Sequence, residues 1–327
     1  MIDLKVGDKM TRQLQYTIGQ QDEGKSIGTF LREKEYSRAV LIELKRTQEG
    51  IRKNGVWAKV NEILKAGDRL EISLIDPEPS ENIVPKPCDF EILYEDEDIL
   101  VISKPYDTPI HPSINNYDNT LANGIAYYFK KQNKSYVFRC INRLDRDTTG
   151  VTIIAKNLLS ASILSKSLKE RAFSRVYVAF VEGIIEEEGT IDLPIGRVEG
   201  SIIKRQVDLV EGKRAITHYR RLEVFYPHGR PVSVVELKLE TGRTHQIRVH
   251  MAAIGHPLLG DFLYNEKNHM LTRQALHAAA CTFYHPITKE IMKMSAPLPE
   301  DMQKLLVDSK LREEKIIVKF TGNIGII

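Results

Sequence analysis

The chain has 327 residues, 42% of them hydrophobic and 28% charged, and a formal net charge of +3. That length suits about two domains with separate cores, and the composition is that of a soluble globular protein rather than a disordered or fibrous one. No N-terminal run resembles a signal peptide and no apolar run of about 18 residues could span a bilayer, so a cytoplasmic location is expected.

Three widely spaced cysteines, Cys88, Cys140 and Cys281, form no C-x-x-C pair. They predict neither a disulfide framework nor a cysteine zinc site. Charge is unevenly distributed. Residues 24–72 hold eleven Lys/Arg against seven Asp/Glu, a local excess of +4 in a chain of +3. A basic segment beside a near-neutral remainder suggests a module that grips a polyanion, although a solvated helical surface has the same composition.

In chain order, Ile27, Phe30 and Leu31 stand at helical spacing, and Ser37 is placed to cap a second helix carrying Val40, Leu41 and Leu44. "IRKNGVW" puts Asn54-Gly55 between short strands, a type I′ hairpin signal. "LKAGDRLEISL" closes the segment as a strand. The run "GTFLREKEYSRAVLIELKRTQEGIRKNGVWAKVNEILKAGDRLEI" resembles the S-four-like RNA-binding domain. That resemblance implies an RNA-facing surface with Arg38, Lys45 and Arg46 on it. Four of the 14 prolines fall in "DPEPSENIVPKPCD", which reads as a linker. The expected division is an S-four-like domain over 12–76, a linker over 77–89, a larger domain over 90–312 and a tail over 313–327.

Beyond the linker the chain is strand-rich. "ILVISKP", "GVTIIAK", "SRVYVAFVEG" and "VSVVELKLETG" read as strands, and "NLLSASILSKSLKE" as a helix capped by Asn157. "RTHQIRVHMAAIG" places Ile247, Met251 and Ile254 on one helical face, with Thr244 as expected cap and Gly255 as stop. Many strands, few helices and no βαβ alternation argue an α+β fold with a mixed, mainly antiparallel sheet and flanking helices. There is no internal repeat.

The common catalytic signatures are missing: no G-x-S-x-G, no phosphate loop, no G-x-G-x-x-G opening a helix, no H-E-x-x-H. His245 and His250 stand five apart and share no helical face, so no metal site is expected there. Three segments remain: "NRLDRDTTG" around Asp145, "SRVYVAFVEG" with Arg175 and Tyr177, and "GRTHQIRVHMAAIGHPLLGD" with Arg248. Together they resemble the RluA-type branch of the RNA pseudouridine synthases, over roughly residues 88–300. "SKPYDTPIHPS" and "ALHA" match further segments of that family.

The resemblance implies an isomerase that turns uridine in RNA into pseudouridine. The bond from a uracil nitrogen to the ribose breaks, and the base rejoins through carbon. No redox change occurs and no group is lost, so neither cofactor nor metal is expected. Asp145 matches the family aspartate. A carboxylate can attack the sugar carbon or stabilise positive charge there, and an adjacent guanidinium favours its charged form. The sugar-adduct and proton-loss routes both stay open.

Arg248 matches the arginine that pairs with that aspartate, Tyr177 the tyrosine that stacks on the uracil, and Ile247 an apolar position near the base. Arg143 matches the arginine that fills the space left by an extruded base, an extrusion that costs a few kcal/mol. Asn142 stands where the family has histidine, and Thr149 where it has serine. Asn142 keeps an amide that can donate to the substrate, and Thr149 keeps a hydroxyl. Large-subunit ribosomal RNA is the expected substrate, with transfer RNA as the alternative and a monomer as the expected state. The rival readings are a non-catalytic RNA-binding assembly factor on the same fold, and a base-extruding glycosylase or deaminase. The zinc deaminase signature is absent.

Overall fold

A computed structural model describes residues 8–77 and 79–306. The tail expected over 313–327 and the last residues of the expected 90–312 domain lie outside the described residues. The N-terminal elements are β1 (Asp8–Lys9), β2 (Thr11–Thr17), α1 (Ile27–Glu33), α2 (Arg38–Arg46), β3 (Ile51–Lys53), β4 (Val56–Trp57) and β5 (Arg69–Ile75). Four of these strands form a sheet in the order β2-β5-β3-β4. Ser26 and Ser37 cap the two helices by accepting from the backbone N–H groups of Thr29 and Val40. Asn54 and Gly55 both have positive φ, 54° and 81°, as a type I′ hairpin requires. Strand β2 has no counterpart in the sequence reading. Its only buried side chain is Leu14, so the apolar alternation that reveals a strand is too short to register.

The larger part begins with β6 (Glu91–Glu95), β7 (Ile99–Lys104), α3 (Leu121–Lys130), β8 (Lys134–Ser135), β9 (Thr149–Ala155) and α4 (Leu158–Lys169). It continues through β10 (Ser174–Glu182), β11 (Glu188–Asp192), β12 (Ile195–Arg197), β13 (Arg205–Val207), β14 (Ile216–Phe225) and β15 (Val232–Leu239). It ends with α5 (Gln246–Ala253), β16 (Leu276–Tyr284), β17 (Ile291–Ser295) and α6 (Glu300–Leu305). Nine strands make one sheet, ordered β11-β14-β15-β10-β16-β9-β7-β6 with β17 beside β16. Within this sheet only the β16–β9 pairing is parallel. The fold is α+β with a mainly antiparallel sheet.

Strand β9 explains the apolar run that follows the charged segment. All seven of its residues are buried. Val151, Ile153 and Ala155 face one core cluster, and Ile154 faces another with Leu121, Ile125 and Phe129 of α3. A strand covered on both faces reads as a continuous apolar run rather than an alternating one. Its parallel contact with β16 is unusually close. A Cβ on Gly150, at φ +111°, would lie 2.2 Å from the carbonyl oxygen of Ala278.

The proline-rich segment has no regular structure but lies against α3. Lys86 N–H donates to the Asn123 carbonyl at 3.2 Å, and the Asn123 amide donates to the Val84 carbonyl at 2.7 Å. The expected cap of α5 is corrected. The N-cap is His245, in the left-handed region at φ 58°, and not Thr244. The Gln246 side chain instead accepts from Arg243 N–H at 3.0 Å and folds the turn before the helix.

Candidate active site

A cleft of about 570 Å³ opens beside the central strands, and all three conspicuous segments line it. Asp145 comes from the loop before β9, Tyr177 from β10, and Ile247 and Arg248 from the first turn of α5. Arg248 donates from Nη1 to Asp145 Oδ2 at 3.2 Å. Its other edge donates from Nε and Nη2 to the two oxygens of Asp261, both at 2.7 Å. Arg248 is 2% exposed and Asp261 is fully buried. Burial alone would pull the guanidinium pKa down, but Asp261 and Asp145 outweigh it and the net shift is upward. The bidentate fork fixes the plane of Arg248, and Arg248 in turn aims at Asp145.

The loop carrying Asp145 is pinned from beneath at several points. The Asn142 amide donates to the Val151 carbonyl and its oxygen accepts from Ile153 N–H, both at 2.8 Å. Lys104 donates to the carbonyls of Arg146, Pro105 and Thr108 at 2.8, 2.7 and 2.9 Å. Burial draws the Lys104 ammonium down to about 7, against the pull of Asp147 and Asp145. Arg273, forked onto Asp301, donates to the Asp147 carbonyl at 3.1 Å. Asp145 itself keeps its side chain 25% exposed, toward the cleft.

Tyr177 is 5% exposed and packs with Leu144, Ile247 and Leu276 in one apolar cluster. Burial raises its phenol pKa, with Arg175 opposing, so the phenol is neutral near pH 7. Arg143 is exposed at the rim and has no ion pair among the described residues. Arg175 also lines the cleft, and its buried Nε lacks a hydrogen-bond acceptor. Arg38, Lys45 and Arg46 are exposed on α2, away from this cleft lining.

His245 Nδ1 meets the Tyr264 hydroxyl at 3.0 Å, and its Nε2 lies 3.9 Å from Asp145 Oδ2. Burial lowers its pKa, and Asp145 only partly offsets this. Gln246 and His250 serve the scaffold. Gln246 donates to the Ile216 carbonyl, and His250 bridges Thr217 and the Leu193 carbonyl.

Sequence reasoning overlooked Asp261, whose only signal is its place in "HPLLGD" after the α5 stop. It also overlooked what Thr149 does. The Thr149 hydroxyl lies 2.8 Å from Nδ1 of His277, whose Nε2–H donates to the Ala296 carbonyl at 3.2 Å.

Asp96, Asp98 and His285 are the one grouping of metal-ligand type among the described residues. Their contacts are internal. Asp98 accepts from Arg12 and Asn157, and Asp96 faces His285 at 2.8 Å.

A family model described as RNA pseudouridylate synthase matches residues 98–253. The solved structure of human RNA pseudouridylate synthase domain containing 1 superposes with a TM-score of 0.54 at 32% identity, covering 68% of this chain and 86% of that one. Fold and family model thus define the protein as an enzyme, an isomerase of uridine in RNA.

The RNA pseudouridine synthase YjbO of Bacillus subtilis is 41% identical over 274 residues, which is 83% of this chain and 94% of the relative. Ribosomal large subunit pseudouridine synthase D of Escherichia coli K12 is 36% identical over 310 residues, 90% of this chain and 93% of the relative. The chain belongs to the RNA pseudouridine synthase family.

Proposed function

We propose that the cleft isomerises uridines of large-subunit ribosomal RNA, with Asp145 as the group that acts on the ribose. The observation that carries this reading is the 3.2 Å contact from Arg248 to Asp145, made by a guanidinium that Asp261 already holds rigid. Asp145 is thereby aimed while its side chain still opens to the cleft. The base must leave its stack to reach it.

Tyr177, Leu144 and Ile247 supply an apolar slot for the uracil ring. Arg143, exposed at the rim, enters the space that the base vacates. Arg175, on the cleft wall, is placed to meet the RNA. The amide of Asn142 is engaged with β9 on both sides, so its part is to support the Asp145 loop beneath the substrate.

In the reaction the bond between C1′ and N1 breaks, the ring turns, and C5 bonds to C1′. The C5 proton is lost to solvent and N1 regains one, so atoms and charge balance without an added group. Asp145 acts on the ribose, by either of the two routes, and the neutral Tyr177 phenol lies where it can contact the ring. We read the β2–β5 sheet with α1 and α2 as the S-four-like domain expected over 12–76. Its exposed Arg38, Lys45 and Arg46 hold RNA phosphates, an affinity that falls with salt. We infer a cytoplasmic enzyme acting there as a monomer. A ribosomal rather than a transfer RNA substrate is favoured by the relative named for the large ribosomal subunit, which matches along nearly its whole length.

The test is tritium release from RNA whose uridines are labelled at carbon 5. Asp145→Ala is expected to release none while binding RNA as the parent does. Normal release by that variant removes the assignment. Mapping pseudouridines in ribosomal and transfer RNA of a strain lacking the gene identifies the substrate.

A further inference from the structure

The N-terminal sheet is fastened to the catalytic sheet, and α4 is the part they share. Leu159 and Ile163, in its first half, belong to the apolar core of the N-terminal unit with Leu31, Tyr36 and Val40. Ser165, Leu168 and Lys169, toward its other end, border the catalytic cleft.

The start of the helix is held by a chain of contacts. Asn157 caps it by accepting from Ser160 N–H at 2.9 Å and donates its amide to Asp98 at 2.8 Å. Arg12 of β2 grips the same Asp98 carboxylate as a fork, at 3.0 and 2.9 Å. A second fork runs from Arg139 to Asp76, both bonds 2.8 Å, just beyond β5. Glu35, after α1, is paired with Lys289 and lies 3.9 Å from Lys166.

The carboxylates of Asp98 and Asp76 are 4% and 5% exposed, so these forks are shielded from water, unlike most surface pairs. Two planar arginine–carboxylate forks set orientation as well as distance. The span from Leu159 to Lys169 is about 15 Å at 1.5 Å per helical residue.

We infer that α4 is a rigid spacer between the RNA grip of the N-terminal unit and the uridine pocket, so that the enzyme selects a uridine by its distance from a second, phosphate-gripped element of the same RNA. This rests on the function proposed above. The partner is a folded RNA that presents a backbone element at one fixed separation from the extruded base, a separation to which the length of α4 contributes. A free proline-rich tether would let the two grips engage over many separations. A docked pair engages both only where the RNA matches, and that match raises the effective concentration of the pocket at one site.

The test uses the full chain carrying Arg12→Ala, Glu35→Ala and Asp76→Asn, three changes outside the cleft and outside α2. Small-angle X-ray scattering reads whether the unit is docked. Turnover is measured on total ribosomal RNA from a strain lacking the gene, and on a short stem-loop cut around the uridine modified there.

The wild type is expected to scatter as a compact particle and the variant as an extended one. On the long RNA the variant should lose about tenfold or more in kcat/KM and modify additional uridines, while on the stem-loop it should stay within about twofold of the parent. Leu159→Asp, a charge in the shared core, is a second route to release and is read the same way. An extended wild type overturns the inference, as does a released variant that keeps both rate and site choice on the long RNA. Failure of the wild type to modify either RNA would instead count against the proposed function.

Discussion

Arg248 stands between two carboxylates that use it differently. Asp261 takes two of its donors in a fully buried fork, and Asp145 takes one at the edge of the cleft. Removing the buried partner strands a guanidinium in a low-dielectric site and unlocks its orientation. Asp261→Ala is therefore expected to lower stability by about 3–5 kcal/mol in urea unfolding, and to reduce tritium release even at temperatures where the protein stays folded.

A second residue-scale prediction concerns His277. Burial holds its imidazole neutral, with the pKa drawn down to about 4 from 6.5 despite the Ala296 carbonyl. Between those values the unfolded chain binds the extra proton and the folded chain does not, so stability rises with pH through this window and is lost as pH falls through it. The full loss is on the order of 3 kcal/mol. Urea midpoints between pH 6.5 and 4 should show it, and His277→Gln should flatten that part of the profile. The same contact accounts for Thr149, whose hydroxyl donates to Nδ1 of that neutral ring. Asp145, Tyr177 and Arg248 could be named in sequence because the three segments that hold them resemble the RNA pseudouridine synthases. Asp261 and His277 were not, because their roles depend on partners 13 and 128 positions away.

At the scale of elements, the turn into β9 and the turn into α5 meet at the cleft, and both depend on unusual backbone. Gly150→Ala would drive a methyl into the Ala278 carbonyl at the one parallel pairing of the large sheet. Strain on this scale is expected to cost more than about 3 kcal/mol, or to prevent folding, as reported by soluble yield and thermal unfolding. The start of α5 was misplaced by one residue in the sequence reading, since Thr244 is the better intrinsic cap. The site instead uses His245 there in the left-handed region, which directs its ring toward Tyr264 and Asp145. The cap of α4 at Asn157 was legible, because a local side chain-to-backbone bond leaves a local sequence mark.

Across the whole molecule, the N-terminal unit and the catalytic sheet share a core through Leu159 and Ile163. Deleting residues 1–77 would expose both side chains and leave Asp98 without Arg12. Each apolar side chain newly met by water costs about 1.5–3 kcal/mol. The truncated chain should therefore melt at a lower temperature than the parent in calorimetry. Its RNA affinity should depend less steeply on salt, because Arg38, Lys45 and Arg46 leave with the unit. A salt slope equal to the parent's would mean that the basic helix surface does not touch RNA.

The sequence by itself determined what is local: the caps at Ser37 and Asn157, the Asn54-Gly55 turn, the buried run of β9 and the three segments that resemble a pseudouridine synthase. These are encoded in neighbouring residues, where propensity and short-range hydrogen bonds act. Only the tertiary structure decided that Asp261 locks Arg248, that Asn142 turns its amide into the sheet, and that the N-terminal unit is docked through Arg12–Asp98 and Arg139–Asp76. Each of these joins groups brought together by chain closure, and a charge or amide carries no mark in the sequence of which distant partner the fold will bring to it.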